Sequence, residues 1–323
     1  MVLINSCSVI NNDYNLDMYT KSEEYGFTIK SWKSTSEEKA IIIAVHGYND
    51  YSNSFKIPAT HLSKFGISTY TFDLRGFGGN KDKGDWYPLE IHTQDLNYIL
   101  EKIKERREGV KVFIMGESMG GAIVLSTIQR YNIRVDGVIL IAPAIWNFSE
   151  RNKIKSFFLK TLSRIFPNYK LRGSSYVSVK PSNNKDLLLE LSKDEYFIHE
   201  PTLRSMNGIV ELMNNSYNDA RNYLKSPNNK TLIVIPAIDE IVPRKPLLEL
   251  LNLNEIKKNI GGKLTLALYE DNYHMILRDM NGNDITREIK EWLFDTENIN
   301  FFYSFNRSIE RLNMQKFYHM IEK

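Results

Sequence analysis

Residues 40–45 read AIIIAV, six apolar positions in a row, which is the pattern of a strand buried on both faces of a parallel sheet. Further strand-like runs stand at 67–73 (ISTYTFD), 111–115 (KVFIM), 135–141 (VDGVILI), 231–235 (TLIVI) and 264–269 (LTLALY). The stretch 27–33 (FTIKSWK) alternates instead, and a polar turn at 34–39 makes it a hairpin strand leading into 40–45. Between these runs, helical periodicity occupies 89–107, 119–131, 246–258 and 285–294, with a further helix around 58–64. Strands alternating with helices predict a doubly wound, mostly parallel α/β sheet.

The alternation breaks once. About 85 residues separate the strand ending near Pro143 from the one beginning after Lys230, too many for a plain crossover, so they read as an inserted, mainly helical cap. The expected organisation is an N-terminal extension (1–24), a core (25–143 and 230–296), a cap (144–229) and a helical tail (297–323). The first half of the cap is basic: residues 151–185 contain nine Lys or Arg and no Asp or Glu. Ile154, Phe157, Phe158, Leu162, Ile165 and Phe166 recur there at helical spacing. Two readings stay open, an apolar face packed on the sheet domain or an amphipathic surface that touches lipid or guides an amphiphilic substrate.

Chemistry enters at 111–124, KVFIMGESMGGAIV, where a strand pattern runs into a Gly-x-Ser-x-Gly sequence and then a helix. Ser118 there is either the N-cap of an ordinary helix or a nucleophile on a sharp strand-to-helix elbow. A serine nucleophile needs a base, an orienting carboxylate and oxyanion donors, and the elbow architecture places acid and base later in the chain, each after a strand. Asp239 follows TLIVI in IPAIDEIVP and meets the first demand; Glu240 and Asp271 close no strand. Of the histidines beyond Asp239, His274 follows the strand LTLALY, whereas His319 lies in the tail. The backbone N–H of Met119 and that of Tyr48, in the His46-Gly47-Tyr48-Asn49 turn after AIIIAV, are the expected oxyanion donors. His46 reads as a brace for that turn.

Composition narrows the rest. The chain has 323 residues, 42% hydrophobic and 25% charged, as a soluble protein with a sizeable core requires. Its 42 Lys plus Arg against 39 Asp plus Glu give a net charge of +3, which does not point to nucleic acid. The single cysteine, Cys7, rules out an intramolecular disulfide and a Cys-based metal site. LINSC at 3–7 also looks like the end of a bacterial lipoprotein signal, so Cys7 would be a lipid anchor if the true start lay upstream. As written, the chain reads as cytoplasmic or peripheral to a membrane.

Taken in order, VHGYND, FDLRGFGG, GESMGG, a cap after IAPA, PAIDEIVP and NYHMILRD resemble the α/β-hydrolase superfamily, more narrowly its monoacylglycerol lipase and lysophospholipase group. The resemblance covers residues 25–294. It implies Ser118 as nucleophile, Asp239 as acid, His274 as base and Tyr48 and Met119 at the oxyanion hole, with no metal or organic cofactor. This sequence departs from the family pattern at Tyr48-Asn49-Asp50, where a small residue and Gly-Glu are usual, and at Phe77 and Asn80, where His and Ser are usual. The expected function is therefore a serine carboxylic-ester hydrolase acting on a monoacylglycerol or lysophospholipid, with peripheral membrane contact through the cap. An aminopeptidase-like amide hydrolase, an acyltransferase and a non-catalytic binding protein are the alternatives.

Overall fold

The computed structural model describes residues 29–106, 109–171 and 179–294. The expected N-terminal extension, Cys7, the tail at 297–323 with His319, and the first two residues of the strand at 27–33 lie outside them. Seven strands form one sheet in the order β1-β3-β2-β4-β5-β6-β7. They are β1 (Ile29–Trp32), β2 (Ala40–Val45), β3 (Ile67–Phe72), β4 (Lys111–Glu117), β5 (Gly137–Ile141), β6 (Thr231–Pro236) and β7 (Leu264–Tyr269). Only β1, at the edge, is antiparallel to its neighbour.

The unbroken apolar runs work because each strand feeds two cores. Ile41, Ile43 and Val45 of β2 face one side, while Ala40, Ile42 and Ala44 face the other. The first side is covered by α2 (Leu89–Arg106) and α3 (Met119–Tyr131). The second is covered by α1 (Lys56–Ser63) and, from the C-terminal end of the sheet domain, a helix at Gly282–Phe294 that buries Ile285, Ile289 and Trp292.

The segment 144–229, expected as one cap, divides in two. It holds α4 (Phe148–Arg151), α5 (Lys153–Ile165), α6 (Lys185–Leu191) and the long α7 (Leu203–Lys225). The last of these buries Leu212, Met213, Ala220, Tyr223 and Leu224 in the same core as α3, and Ser126 Oγ meets Ser216 Oγ at 3.2 Å. It thus covers the sheet as the crossover helix from β5 to β6, leaving α4, α5 and α6 as the added layer. The helix expected at 246–258 is also split, into α8 (Arg244–Leu251) and α9 (Asn254–Lys257), before α10 (Gly282–Phe294) closes the described fold.

Topology fixes where a site can form. From β2 the chain crosses to β3 on one side and then returns to β4 on the other, so β2 and β4 are neighbours with diverging connections. Ligands of open α/β sheets bind at the carboxyl ends of such strands. The register pairs Val45 with Gly116, which sets the His46 turn beside Ser118.

Candidate active site

Ser118 sits between the last residue of β4 and the first of α3 with φ 55° and ψ −119°. A side chain at positive φ costs on the order of 1–3 kcal/mol and persists only where the surroundings impose it. Here they do so by close backbone approach. A Cβ on Gly116 would lie 2.4 Å from the Gly120 carbonyl oxygen, and one on Gly120 would lie 2.0 Å from that of Val45. The Ser118 N–H donates to the Ile141 carbonyl at 2.9 Å, and its own carbonyl accepts from Ala144 at 2.9 Å. Its side chain makes no capping bond to α3, so of the two sequence readings the elbow is the one the backbone adopts.

Asp239 lies in the turn after β6. Its Oδ1 accepts from the N–H groups of Ile241 (2.8 Å) and Val242 (2.9 Å), and its Oδ2 faces His274 Nδ1 at 2.7 Å. Both side chains are almost wholly buried, 3% and 6% exposed. With a carboxylate on Nδ1, that nitrogen donates and Nε2 is left as the basic atom. The His274 loop is held by Asp279, whose Oδ2 accepts from the Tyr273 N–H and from Asn272 Nδ2, each at 2.9 Å. Among the described residues the His274 ring bonds Asp239, and Ser118 makes no hydrogen bond to it. Such bonds are often long in free enzymes and tighten with substrate. The two carboxylates set aside from sequence stay apart from this pair: Asp271 is exposed, and Glu240 is exposed and accepts from the Lys180 N–H.

The turn after β2 is braced by His46. Its Nδ1 donates to the Gly47 carbonyl at 2.8 Å and its Nε2 accepts from the Leu74 N–H at 3.0 Å. Both nitrogens are thereby occupied, and burial holds the ring below its usual pKa, so it is a neutral strut. A Cβ placed on Gly47 would stand 3.2 Å from Ser118 Cβ, which puts the Tyr48 backbone next to the serine. The Tyr48 hydroxyl and Ser205 Oγ meet at 2.8 Å, and its ring meets those of Phe77 and Trp86 edge-on. Phe77, one of the two departures in the 74–86 loop, is thus part of an aromatic wall. Asn80, the other, ties the loop down by donating to the Asp73 and Leu74 carbonyls. An open cavity of about 380 Å³ lies along this wall, lined by Tyr48, Phe77, Lys83, Phe197, Ile198 and Ser205 among others.

Sequence reasoning missed the charges beneath the serine. Arg278 Nη2 lies 2.7 Å from Asp50 Oδ2 and 3.1 Å from Glu117 Oε2, and all three side chains are 3–5% exposed. Asp50 comes from the turn after β2, Glu117 immediately precedes Ser118, and Arg278 follows His274 in the same loop. One buried cation therefore joins the three segments that hold Tyr48, Ser118 and His274. Burial pushes the Glu117 carboxyl above its usual pKa against the pull of Arg278. Burial also opposes the Arg278 charge, but Asp50 and Glu117 more than offset this. The signal was a charged residue closing an otherwise apolar strand, with an acid and an arginine inside motifs already singled out. No cluster of three or more His, Cys, Asp or Glu able to hold a metal ion occurs among the described residues.

Comparison with known proteins agrees with this fold. The family model described as serine aminopeptidase, S33, matches residues 36–281. Human monoglyceride lipase is 24% identical over 266 residues, 81% of this chain and 84% of that protein. Phospholipase YtpA of Bacillus subtilis is 23% identical over 212 residues, 65% of this chain and 79% of that protein. The crystal structure of Paleococcus ferrophilus monoacylglycerol lipase superposes with a TM-score of 0.67 at 22% identity, covering 83% of this chain and 98% of that one, a likeness of fold. With its elbow at the switch point and a family model spanning most of its length, the chain belongs to the serine aminopeptidase S33 family of α/β-hydrolases.

Proposed function

We propose that the protein is a serine carboxylic-ester hydrolase that cleaves single-chain acyl lipids, monoacylglycerols or lysophospholipids, through an acyl-enzyme. The observation that carries this reading is the buried Asp239–His274 pair on two loops at the carboxyl end of the sheet where Ser118 stands on its elbow. Ser118 Oγ attacks the ester carbonyl while His274 Nε2 takes its proton, and Asp239 fixes the ring and stabilises its cation. The N–H groups of Met119 and Tyr48 hold the oxyanion, aided by the positive end of the α3 dipole. His274 then returns the proton to the leaving alcohol and activates the water that frees the acid. Single-chain lipids are favoured because relatives named monoglyceride lipase and phospholipase match four-fifths and two-thirds of the chain.

A fluorophosphonate probe should label the wild-type protein and leave Ser118→Ala unlabelled; equal labelling of the two would sink the mechanism. Replacing Asp239 by Asn should lower kcat by about 10⁴, the cost of holding the wrong imidazole tautomer, and slow labelling as well, since both need His274 to take the Ser118 proton. The name of the family model favours a second reading, a peptidase that cleaves aminoacyl amides. Hydrolysis of aminoacyl amides in preference to monoacylglycerols and lysophospholipids would select it.

A further inference from the structure

Helix α5 is turned inside out. Ser163 is buried against the protein, and Ser156 and Leu159, on the same face, are half-buried. The Ser149 hydroxyl links this face to α7, meeting Ser156 Oγ at 2.8 Å and accepting from Asn214 Nδ2 at 2.7 Å. The outward face carries Ile154, Phe157, Phe158, Leu162 and Ile165 at 73, 67, 59, 43 and 60% exposure. Phe166 and Tyr169, just beyond the helix, extend it at 56 and 63%. A soluble monomer rarely leaves a contiguous apolar patch of this size in water, and such patches mark surfaces that meet a partner.

The charges around the patch identify the partner. Lys153, Lys155, Lys160, Arg164 and Lys170 rim it, and residues 151–185 contain no acid. Among the described residues no carboxylate pairs with Lys153, Lys155 or Arg164, and Lys160 reaches Glu211 only at 3.9 Å. A second copy of the chain would bring the same cations face to face across a two-fold axis, which opposes self-association. A helix with an aromatic and aliphatic face edged by lysine and arginine instead fits an interface that is apolar within and anionic at its surface.

We propose that α5 docks the enzyme onto anionic lipid bilayers, its phenylalanines entering the acyl boundary and its cations meeting the headgroups. The proposal is independent of the triad. It complements the lipid-ester reading because a membrane is where a single-chain acyl lipid partitions. The helix enters by way of Ala144, whose N–H bonds the Ser118 carbonyl, so the docking element leaves the sheet directly beside the site.

The test is flotation of the full chain with vesicles of phosphatidylcholine alone and of phosphatidylcholine with phosphatidylglycerol. The Ser118→Ala background keeps binding separate from turnover. Strong, salt-sensitive binding to the anionic vesicles is expected. It should weaken by at least about tenfold in the Phe157→Ser, Phe158→Ser double variant. In the otherwise wild-type chain, that double variant should still hydrolyse a soluble short-chain ester at the wild-type rate, since neither residue touches the site. Equal binding of the double variant, or no binding of the parent, overturns the proposal. So does a dimer in sedimentation that the double variant abolishes, which would make a second copy the occupant. Binding that appears only after deletion of residues 295–323 would assign the patch to the tail and overturn it as well. Loss of docking with fluorophosphonate labelling intact would leave the catalytic reading standing; the reverse outcome would leave the docking standing.

Discussion

The floor of the site and the outer face of α5 break the same rule in opposite directions. Beneath Ser118 three charged side chains, Asp50, Glu117 and Arg278, are withdrawn from water. On α5 five large apolar side chains are pushed into it. Neither arrangement follows from the hydrophobic pattern of its own segment, because each is set by what lies outside that segment. The floor is tolerable only because one guanidinium serves two carboxylates that arrive from separate loops. The helix face is costly in water and becomes favourable on a surface that receives it. Burial against type, in both places, points to function.

Removing the cation breaks the comparison most severely. Arg278→Met leaves Asp50 and Glu117 buried and unpaired, and should cost about 3–5 kcal/mol in urea unfolding. Arg130 provides the control. It pairs with Asp219 at 2.8 Å and Glu90 at 3.2 Å, but at the surface, so Arg130→Met should cost about 1 kcal/mol or less. Neutralising the floor as a unit, with Asp50→Asn and Glu117→Gln added to Arg278→Met, should recover part of the loss. If Arg278→Met and Arg130→Met cost the same, the buried network is not what holds the three segments.

A smaller effect tests what an unpaired charge does inside. His92 is fully buried, beside His46 and Arg75 rather than an acid, and burial pushes it down to about 3. Unfolded, it titrates near its usual value of about 6.5. The folded chain therefore binds fewer protons across that window, so the stability is complete above about pH 6.5 and is lost as pH falls toward 3. Between pH 7.5 and 5 this one group accounts for about 2 kcal/mol. His92→Phe should flatten the pH dependence of unfolding by that amount. An unchanged slope would place the acid sensitivity elsewhere, His46 being the next candidate because burial lowers it too.

These residues also mark how far the sequence could be read. The apolar run at 40–45 became β2 with the same ends, since a strand buried on both faces has no ambiguous edge. Asp239 and His274 were legible because the elbow architecture dictates their order along the chain, and the 2.7 Å contact joins them. The Asp50–Arg278–Glu117 network was not legible. It couples positions far apart in sequence, and the local sign, a glutamate closing the apolar strand β4, does not name its partners. The length of 144–229 was legible but its division was not. Helical periodicity locates an apolar stripe on α7 without saying which neighbour receives it, and the receiver is α3. On α5 the same periodicity was correctly seen, and both of its readings were open. Packing turns the serines inward and the phenylalanines outward, which removes the reading in which the apolar face packs on the sheet domain; contact with lipid rests on the proposed docking.

The smallest effect is the most discriminating for that helix. Phe113, on β4, is fully buried, and truncating it to alanine should cost about 3–5 kcal/mol. Phe157 has the same chemistry but stands 67% exposed, so its truncation removes little packing from the folded protein. Alanine is also the better helix former by a few tenths of a kcal/mol, which offsets what contact is lost. Phe157→Ala should therefore change the unfolding free energy of the vesicle-free protein by no more than about 0.5 kcal/mol in either direction. A cost approaching that of Phe113→Ala would mean that Phe157 is already covered in solution, and the outer face of α5 would then be ordinary core. A change near zero, beside a large loss of vesicle binding, would mean the side chain contributes nothing to folding and serves only when the protein meets lipid.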